Sequence, residues 1–461
     1  MEITNEVKTT HQRLSSVNTD FLEFVRKNPA CLNRSNFKLL ELNDDLFRLQ
    51  PWPTFVNRKA RETFTEASVT LFNLIKGIPR RVFNNDLRAM SRYYGVTPSV
   101  LEIQMDGVHD DHLENLLARG DFIISSSGLK CLEYNVTPNL GGWQVPIWES
   151  LYLNTPLIAR FLKEYDIKIK NENLLYLFLK HMVDCSLTKM SGDDNELNLA
   201  LVEKGYAAGS ERTLETYLDK LYKEILSRLD RPLTGTIFFC DYPHLVREDG
   251  YLFYKEKRVH ALTELYLGMV PPHVINVFKA GNLRLVNGPI TNLLSSKLNL
   301  ALLSDYDTTG VFTGEEKRII DRYVPWTRKM TPGDTTHEGE KVNLMDFIRS
   351  NRERLVLKPS VGYGGKGVWI GKNTPAEEWE QLAKTGVEEG NWAVQEFTPP
   401  SLGLYQAGEE GCTPQDIVWG FFVFGSRYSG AWARVMPRDN SKGVINCHQG
   451  ATVSIIFEVD D

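Results

Sequence analysis

No stretch of this 461-residue chain approaches a membrane span. The most apolar run, around Phe421-Phe422-Val423-Phe424, is stopped by Gly425 and Arg427, well short of the ~20 apolar residues a bilayer requires. No long Lys/Arg run occurs, and 53 basic against 59 acidic residues leave a formal net charge of −6. That balance lacks the basic patch or stripe of a nucleic-acid binder. Six cysteines (Cys31, Cys131, Cys185, Cys240, Cys412, Cys447) are scattered without C-x-x-C spacing, which excludes a zinc knuckle and a disulfide frame and fits reduced thiols in a cytoplasm. Cys131 is expected to be a small buried residue. The nine histidines include no H-E-x-x-H and no G-x-S-x-G elbow appears, so covalent catalysis by the chain is not indicated. The opening residues Met1 to Lys8 are polar and acidic, where a secretory signal would be basic and then apolar.

What is present is the composition of an ordinary globular protein, 42% apolar and 24% charged, long enough for two to four structural units. From Thr10 to Leu116 the pattern is mostly helical. Phe64, Ala67, Val69, Leu71, Leu74 and Ile75 recur at helical spacing between Arg58 and Ile78, and Gly77 and Pro79 are expected to end that helix. Ile147 to Leu229 again reads helical, broken by a polar patch at 192–196. Beyond it the expectation is a strand near Thr234 to Asp241, a short helix from Ala261 to Leu267, and strands over Val274 to Phe278 and Leu283 to Asn287. This alternation suits an α/β domain with ligands near strand ends, making Asp241, His244 and Asn287 candidate substrate contacts. Thr331 to Lys341 and Pro399 to Gln415 are rich in Gly, Pro and polar residues and read as surface loops, the second able to gate a site. Asp416 reads as a turn residue.

Two constellations carry chemistry. The run Val356-Leu357-Lys358-Pro359-Ser360-Val361-Gly362-Tyr363-Gly364-Gly365-Lys366-Gly367-Val368 is flanked by β-prone segments, so its glycines join two antiparallel strands. Backbone N–H groups of such a loop can approach phosphate oxygens closely, with Lys358 and Lys366 adding charge. It matches neither of the common strand-to-helix glycine motifs. By itself it is either a phosphate cradle or a hairpin without a ligand. The second constellation is a hairpin: Arg119-Gly120-Asp121 opens one strand, and Glu133 and Asn135 lie two apart on the next. Both then project from one face, with Leu132 and Tyr134 on the other. With Asp121 they could form an all-oxygen set for Mg²⁺, or simply a solvated strand face.

Taken together, R-x-D, then E-x-N, then a later K-P-x-x-G-x-G-G loop resembles the circularly permuted ATP-grasp ligases, in particular the synthetase domain of glutathionylspermidine synthetase and eukaryotic glutathione synthetase. The resemblance runs from about Arg119 to the C-terminus. It implies an α/β (α+β) fold with an ATP-grasp core in permuted order: an N-terminal helical region (1–116), a metal-binding hairpin (117–146), a helical segment with an α/β substrate domain (147–310), and a lid with the nucleotide-binding core (311–461). It further implies phosphate contacts from Lys297, Lys358, Gly362, Gly364, Gly365, Lys366 and Gly367, and an adenine hinge at Gln395, Glu396 and Phe397. Mg²⁺ would be held by Asp121, Glu133 and Asn135, and the reacting carboxyl by Arg119 and by Arg434 on a late strand pair leading to Val444-Ile445-Asn446. The implied activity is ATP-dependent joining of a small carboxylic acid and an amine through an acyl phosphate, in the cytoplasm, with no nucleic-acid or membrane partner. A small-molecule kinase and a non-catalytic nucleotide-binding scaffold are the alternatives. Where glutathione synthetases carry an acidic residue in the glycine loop, this chain has Gly362, and the serines that follow the metal hairpin in that type are absent after Gly141-Gly142. Trp143, Trp369, Trp392 and Trp432 could line an acceptor pocket or belong to the core.

Overall fold

Alternation of large apolar residues builds the central element, an eight-stranded sheet. The computed structural model describes residues 5–28, 48–108, 110–188, 190, 194–206, 213–266, 268–362, 367–407, 411–441 and 443–460. Across the sheet run the strands Arg48–Leu49, Thr452–Val459, Arg427–Pro437, Gly411–Phe424, Leu117–Ser125 and Gly128–Asn135, while Leu402–Ala407 and Thr54–Asn57 pair off this path. Trp419, Phe421, Val423, Ala433 and Val435 turn to one face and are buried with Phe64, Leu71 and Phe72 of the helix Arg58–Arg81. Phe64 stacks on Phe421 at 4.4 Å. Truncating Phe421 to Ala would cost about 3–5 kcal/mol. Residues one step out of phase, Phe422, Phe424 and Trp432, face the opposite way into a core shared with the helices Val145–Leu153 and Leu174–Leu187.

The long helix does not end at Gly77. It passes through Pro79 to Arg81, because Arg81 grips Glu316 through two 2.7 Å bonds and donates to the Val311 carbonyl at 3.0 Å. Tertiary anchoring outweighs the hydrogen bond lost at the proline. At its start the Asn57 side chain accepts from the Ala60 N–H at 2.9 Å, an N-cap.

A second sheet is wholly parallel, in the order Arg284–Val286, Ala261–Glu264, Leu199–Val202, Ile237–Cys240. Three expectations fail here. Ala261–Glu264 is a central strand and not a helix; Leu199–Val202 is a strand inside the stretch expected to be helical; and Val274 to Phe278 lie in a helix, Pro272–Lys279. Pro272 starts that helix with its fixed φ, and Val274, Val277 and Phe278 then fall on one buried stripe. Leu267 and residues 192–193 of the polar patch lie outside the described residues.

A third, antiparallel sheet joins Thr327–Lys329, Trp392–Glu396, Leu355–Pro359 and Trp369–Ile370. It buries Leu355, Leu357 and Val394 against Trp379 of the helix Ala376–Glu389. The supposed loop at 331–341 contains one strand, Asp334–His337, and the first half of a second, Glu340–Asn343. Pro399 to Gln415 likewise holds the strand Leu402–Ala407 paired to the start of Gly411–Phe424. Asp416 is a buried residue of that second strand and pairs with Arg438 at 2.8 Å.

Candidate functional site

The face of the main sheet that carries Phe422 and Trp432 also carries, farther along, Val418, Arg434 and Asp121. Register brings the expected residues side by side: Asp121 lies opposite Glu133, and Arg119 opposite Asn135. Gly420 stands between Asp121 and Trp432, where a Cβ would come within 2.3 Å of Trp432 Nε1 and 2.9 Å of Arg119 Cδ. Its missing side chain lets Arg119 lie over the Trp432 ring, 5.4 Å from the centroid.

Asp121 is the charged centre of this corner. Arg119 Nε donates to its Oδ1 at 2.9 Å, Arg434 Nη2 reaches Oδ2 at 2.9 Å, and Asn135 Nδ2 donates to Oδ2 at 3.2 Å. Burial alone would push the carboxyl's pKa up, but the two guanidinium groups hold it below the usual carboxylate range. Arg119 also donates to the Leu140 carbonyl. Among the described residues Arg434 Nε is buried without a hydrogen-bond partner, a donor left over for an anion.

A bulge shapes the neighbouring strand. Asp121 faces Glu133 while Phe122 faces Cys131, so Leu132 is the extra residue. Leu132 therefore does not take the face opposite Glu133; it lines the cleft, and its carbonyl accepts from Lys358 Nζ at 3.2 Å. Tyr134 does turn away, to the core below. Lys358 also donates to Gln395 Oε1 at 2.6 Å. Burial pushes its pKa down to about 8, with Lys297 adding repulsion while Glu133 pulls it back. Lys297 sits between two short helices, Thr291–Leu294 and Leu298–Ser304. Its Nζ is 3.2 Å from Glu133 Oε2 and donates to the Gly362 carbonyl at 3.3 Å. The glycine run does join antiparallel strands. Gly364, Gly365 and Lys366 fall outside the described residues, while Gly362 lines the cleft and Gly367 has φ 75°, the left-handed region that favours glycine.

These groups enclose a cleft of about 840 Å³. Asp121, Glu133, Lys297, Lys358, Gly362, Gln395, Glu396, Phe397 and Arg434 all line it, together with Val444, Ile445 and Asn446. Val444 to Asn446 are irregular, and the later strand paired with Arg434 is Thr452–Val459, with Gly411–Phe424 on its other side. One end is apolar, walled by Ile123, Val356, Val368, Ile370, Val418 and Ile445; strand alternation hinted at these positions, but not at their convergence. At the hinge, the N–H groups of Glu396 and Phe397 are already bonded to the carbonyls of Trp326 (2.8 Å) and Arg354 (2.7 Å), and Gln395 Nε2 to Thr327. Thr398, not singled out from the sequence, lines the cleft just beyond them. A second lobe of about 550 Å³ shares Glu133, Lys297 and Gly362 and is lined by Asn135, Thr137, Asn139, Thr291, Asn292 and Ser295.

The donor set fits Mg²⁺. Asp121, Glu133 and the amide oxygen of Asn135, whose nitrogen is the end bonded to Asp121, are hard oxygen donors on adjacent strands. Water and phosphate oxygens would complete the shell, as this ion prefers.

Other candidates have different roles. Asn287 clamps Leu117 through both its N–H (2.6 Å) and its carbonyl (2.7 Å), fixing the start of the Asp121 strand. Asp241 and His244 cap a short turn. Trp369 stacks on Trp392 at 5.0 Å and Trp143 packs on Phe178 at 4.3 Å; none of the four tryptophans lines the cleft. No described helix is long and apolar enough to cross a membrane.

Fold and cleft together define a mixed α/β architecture built around a charged pocket. No protein-family model and no curated protein sequence matches the chain. Among solved structures it is similar to a glutathione synthetase-like effector of Globodera pallida in its apo form, with TM-score 0.56 and 12% identity over 99% of this chain and 98% of that one. At that identity the likeness establishes a shared overall fold. A candidate gamma-glutamylcysteine synthetase of Methylobacillus flagellatus aligns over 85% of this chain and 88% of its own at 14% identity, but with TM-score 0.42 it is too distant to argue from.

Proposed function

We propose that the protein is an ATP-dependent carboxylate-amine ligase with a permuted ATP-grasp core, divided as 1–116, 117–146, 147–310 and 311–461. The observation that carries this reading is the convergence of Asp121, Glu133, Lys297, Lys358, Glu396 and Arg434, drawn from separate segments of the chain, on one cleft. The apolar end suits a purine. Lys297, Lys358 and the loop from Gly362 to Gly367 would hold the phosphates. Mg²⁺, held by Asp121, Glu133 and Asn135, would supply neutralisation of the phosphate charge. Arg119 and Arg434 would turn from Asp121 toward the substrate carboxylate and orient it, since preorganised cations act where negative charge develops. A carboxylate oxygen attacks the γ-phosphorus and ADP leaves; the amine nitrogen then attacks the acyl carbon, orthophosphate leaves and the nitrogen loses a proton. Phosphoryl transfer asks little covalent chemistry of the protein beyond this positioning. The lobe that shares Glu133 and Lys297 would take the amine and the rest of the acid beyond its carboxylate.

The test is incubation with ATP, Mg²⁺ and pooled carboxylic acids, with and without pooled amines, reading ADP, AMP and product mass. Amine-dependent ADP with a product of acid plus amine minus water is expected. AMP, or a phosphorylated acid that accumulates regardless of amine, would overturn the ligase; the second result would make the protein a kinase.

A further inference from the structure

At the far end of the main sheet a second cleft of about 970 Å³ opens between the helix Arg58–Arg81, the start of the helix Val145–Leu153 and the turn at 425–426 with the first residues of the strand Arg427–Pro437. It lies about 13 Å along the Arg434 strand from that arginine, counting four residues at the rise of a β-strand. Buried Phe422 and Trp432, with ring centroids 5.7 Å apart, stand between the two sites.

Its charged groups are almost all paired. Arg427 Nη2 meets both oxygens of Glu172 at 2.6 and 2.7 Å. Arg61 binds Glu458 Oε2 at 3.1 Å, and the Tyr428 hydroxyl donates to Glu458 Oε1 at 3.2 Å. Among the described residues Glu149 has only a neutral partner. Asn171 Nδ2 donates to its Oε1 at 2.6 Å, and Asn171 itself is fixed by the backbone of Ile456 and Glu458. Burial, with the Glu458 charge adding to it, pushes the Glu149 carboxyl up to about 7. A half-buried carboxyl whose hydrogen-bond partner is an amide, facing a cleft, suits a cation. The strand leaves room for one: Gly430, with φ 137°, lines the cleft, and a Cβ there would touch only Leu174 at 3.8 Å.

We propose that this cleft binds a small alkylammonium ion, with Glu149 as its counter-charge and Glu458 as a second acceptor. The remaining walls, Val69, Val145, Leu174 and Ala431, are apolar and suit an alkyl chain. A bare metal ion is a poorer fit, because Glu172 and Glu458 already meet Arg427 and Arg61. Both arginines already have carboxylates, so an anion finds no free charge. The site is independent of the proposed ligase chemistry.

Calorimetric titration of the full chain with 1,4-diaminobutane, against uncharged 1,4-butanediol, tests this. Saturable binding of the diamine alone is expected, at least about tenfold weaker in Glu149→Gln and in the cleft-filling Ala431→Met, and unchanged in Lys297→Met, which alters the nucleotide cleft. Affinity rises from pH 6 to 8, with proton release on binding near pH 7. No saturable binding, equal affinity in Glu149→Gln, or loss in Lys297→Met would each overturn the assignment; the last would place the amine in the nucleotide cleft.

Discussion

Asp121 is a buried carboxyl and Glu149 a half-buried one, serving pockets at opposite ends of one sheet, and their surroundings drive them in opposite directions. Burial raises the pKa of each. Around Asp121 two arginines overcome that effect; around Glu149 an asparagine does not, and the nearby Glu458 adds to it. Neighbouring charge, rather than depth, thus decides which carboxyl is ionised at neutral pH. At one end of the sheet the carboxyl meets two guanidinium groups, and at the other it meets an amide.

The sharpest way to break this comparison is to neutralise each carboxyl in turn. Asp121→Asn should abolish turnover and also destabilise the fold by about 3–5 kcal/mol, because it strands two buried guanidinium groups. Denaturant unfolding beside an activity assay checks both; a fully stable variant would remove Asp121 from the centre of the network. Arg119→Ala or Arg434→Ala should lower turnover roughly 100-fold or more while ATP affinity changes far less. Loss of ATP binding alone would contradict their place at the reacting carboxyl.

Glu149→Gln should act in the opposite sense to Asp121→Asn. A carboxyl whose pKa is higher folded than unfolded binds more protons in the native state, so the wild type loses stability as pH rises from about 4.5 to 7. The amide escapes that cost and should gain up to about 3 kcal/mol at pH 8, with the gain vanishing below pH 4.5. Thermal melts at both pH values decide, and a lower melting temperature at pH 8 would contradict the account. The smallest effect concerns Lys358. Its pKa is depressed to about 8, so ATP affinity should be full below that pH and fall by up to about tenfold per pH unit above it. A flat affinity profile through pH 9 would show that Lys358 does not meet the phosphates.

The charged end was legible in the sequence because its signals are local. Two-residue spacing put Glu133 and Asn135 on one face, and the glycine run announced a turn between strands. Leu132 was misplaced because a single bulged residue reverses the alternation, and the bulge depends on the partner strand. Ala261 to Glu264 and Val274 to Phe278 exchanged types because short apolar runs do not separate buried strand from helix. The second cleft was invisible: Arg61, Glu149, Asn171 and Glu458 are scattered along the chain, and a lone glutamate on a helix reads as a solvated residue. Thr398 lies within the hinge segment 392–399 but carries no signal of its own, and only its place in the cleft wall sets it apart.

The central claim concerns what the Asp121 end does with a carboxylate. The most direct measurement is turnover of ATP with pooled acids labelled with ¹⁸O in the carboxyl group, in the presence of amines, with mass analysis of the released phosphate. The account predicts ADP and orthophosphate carrying one ¹⁸O from the acid, as an acyl phosphate requires. Unlabelled orthophosphate, or AMP with pyrophosphate, would contradict it.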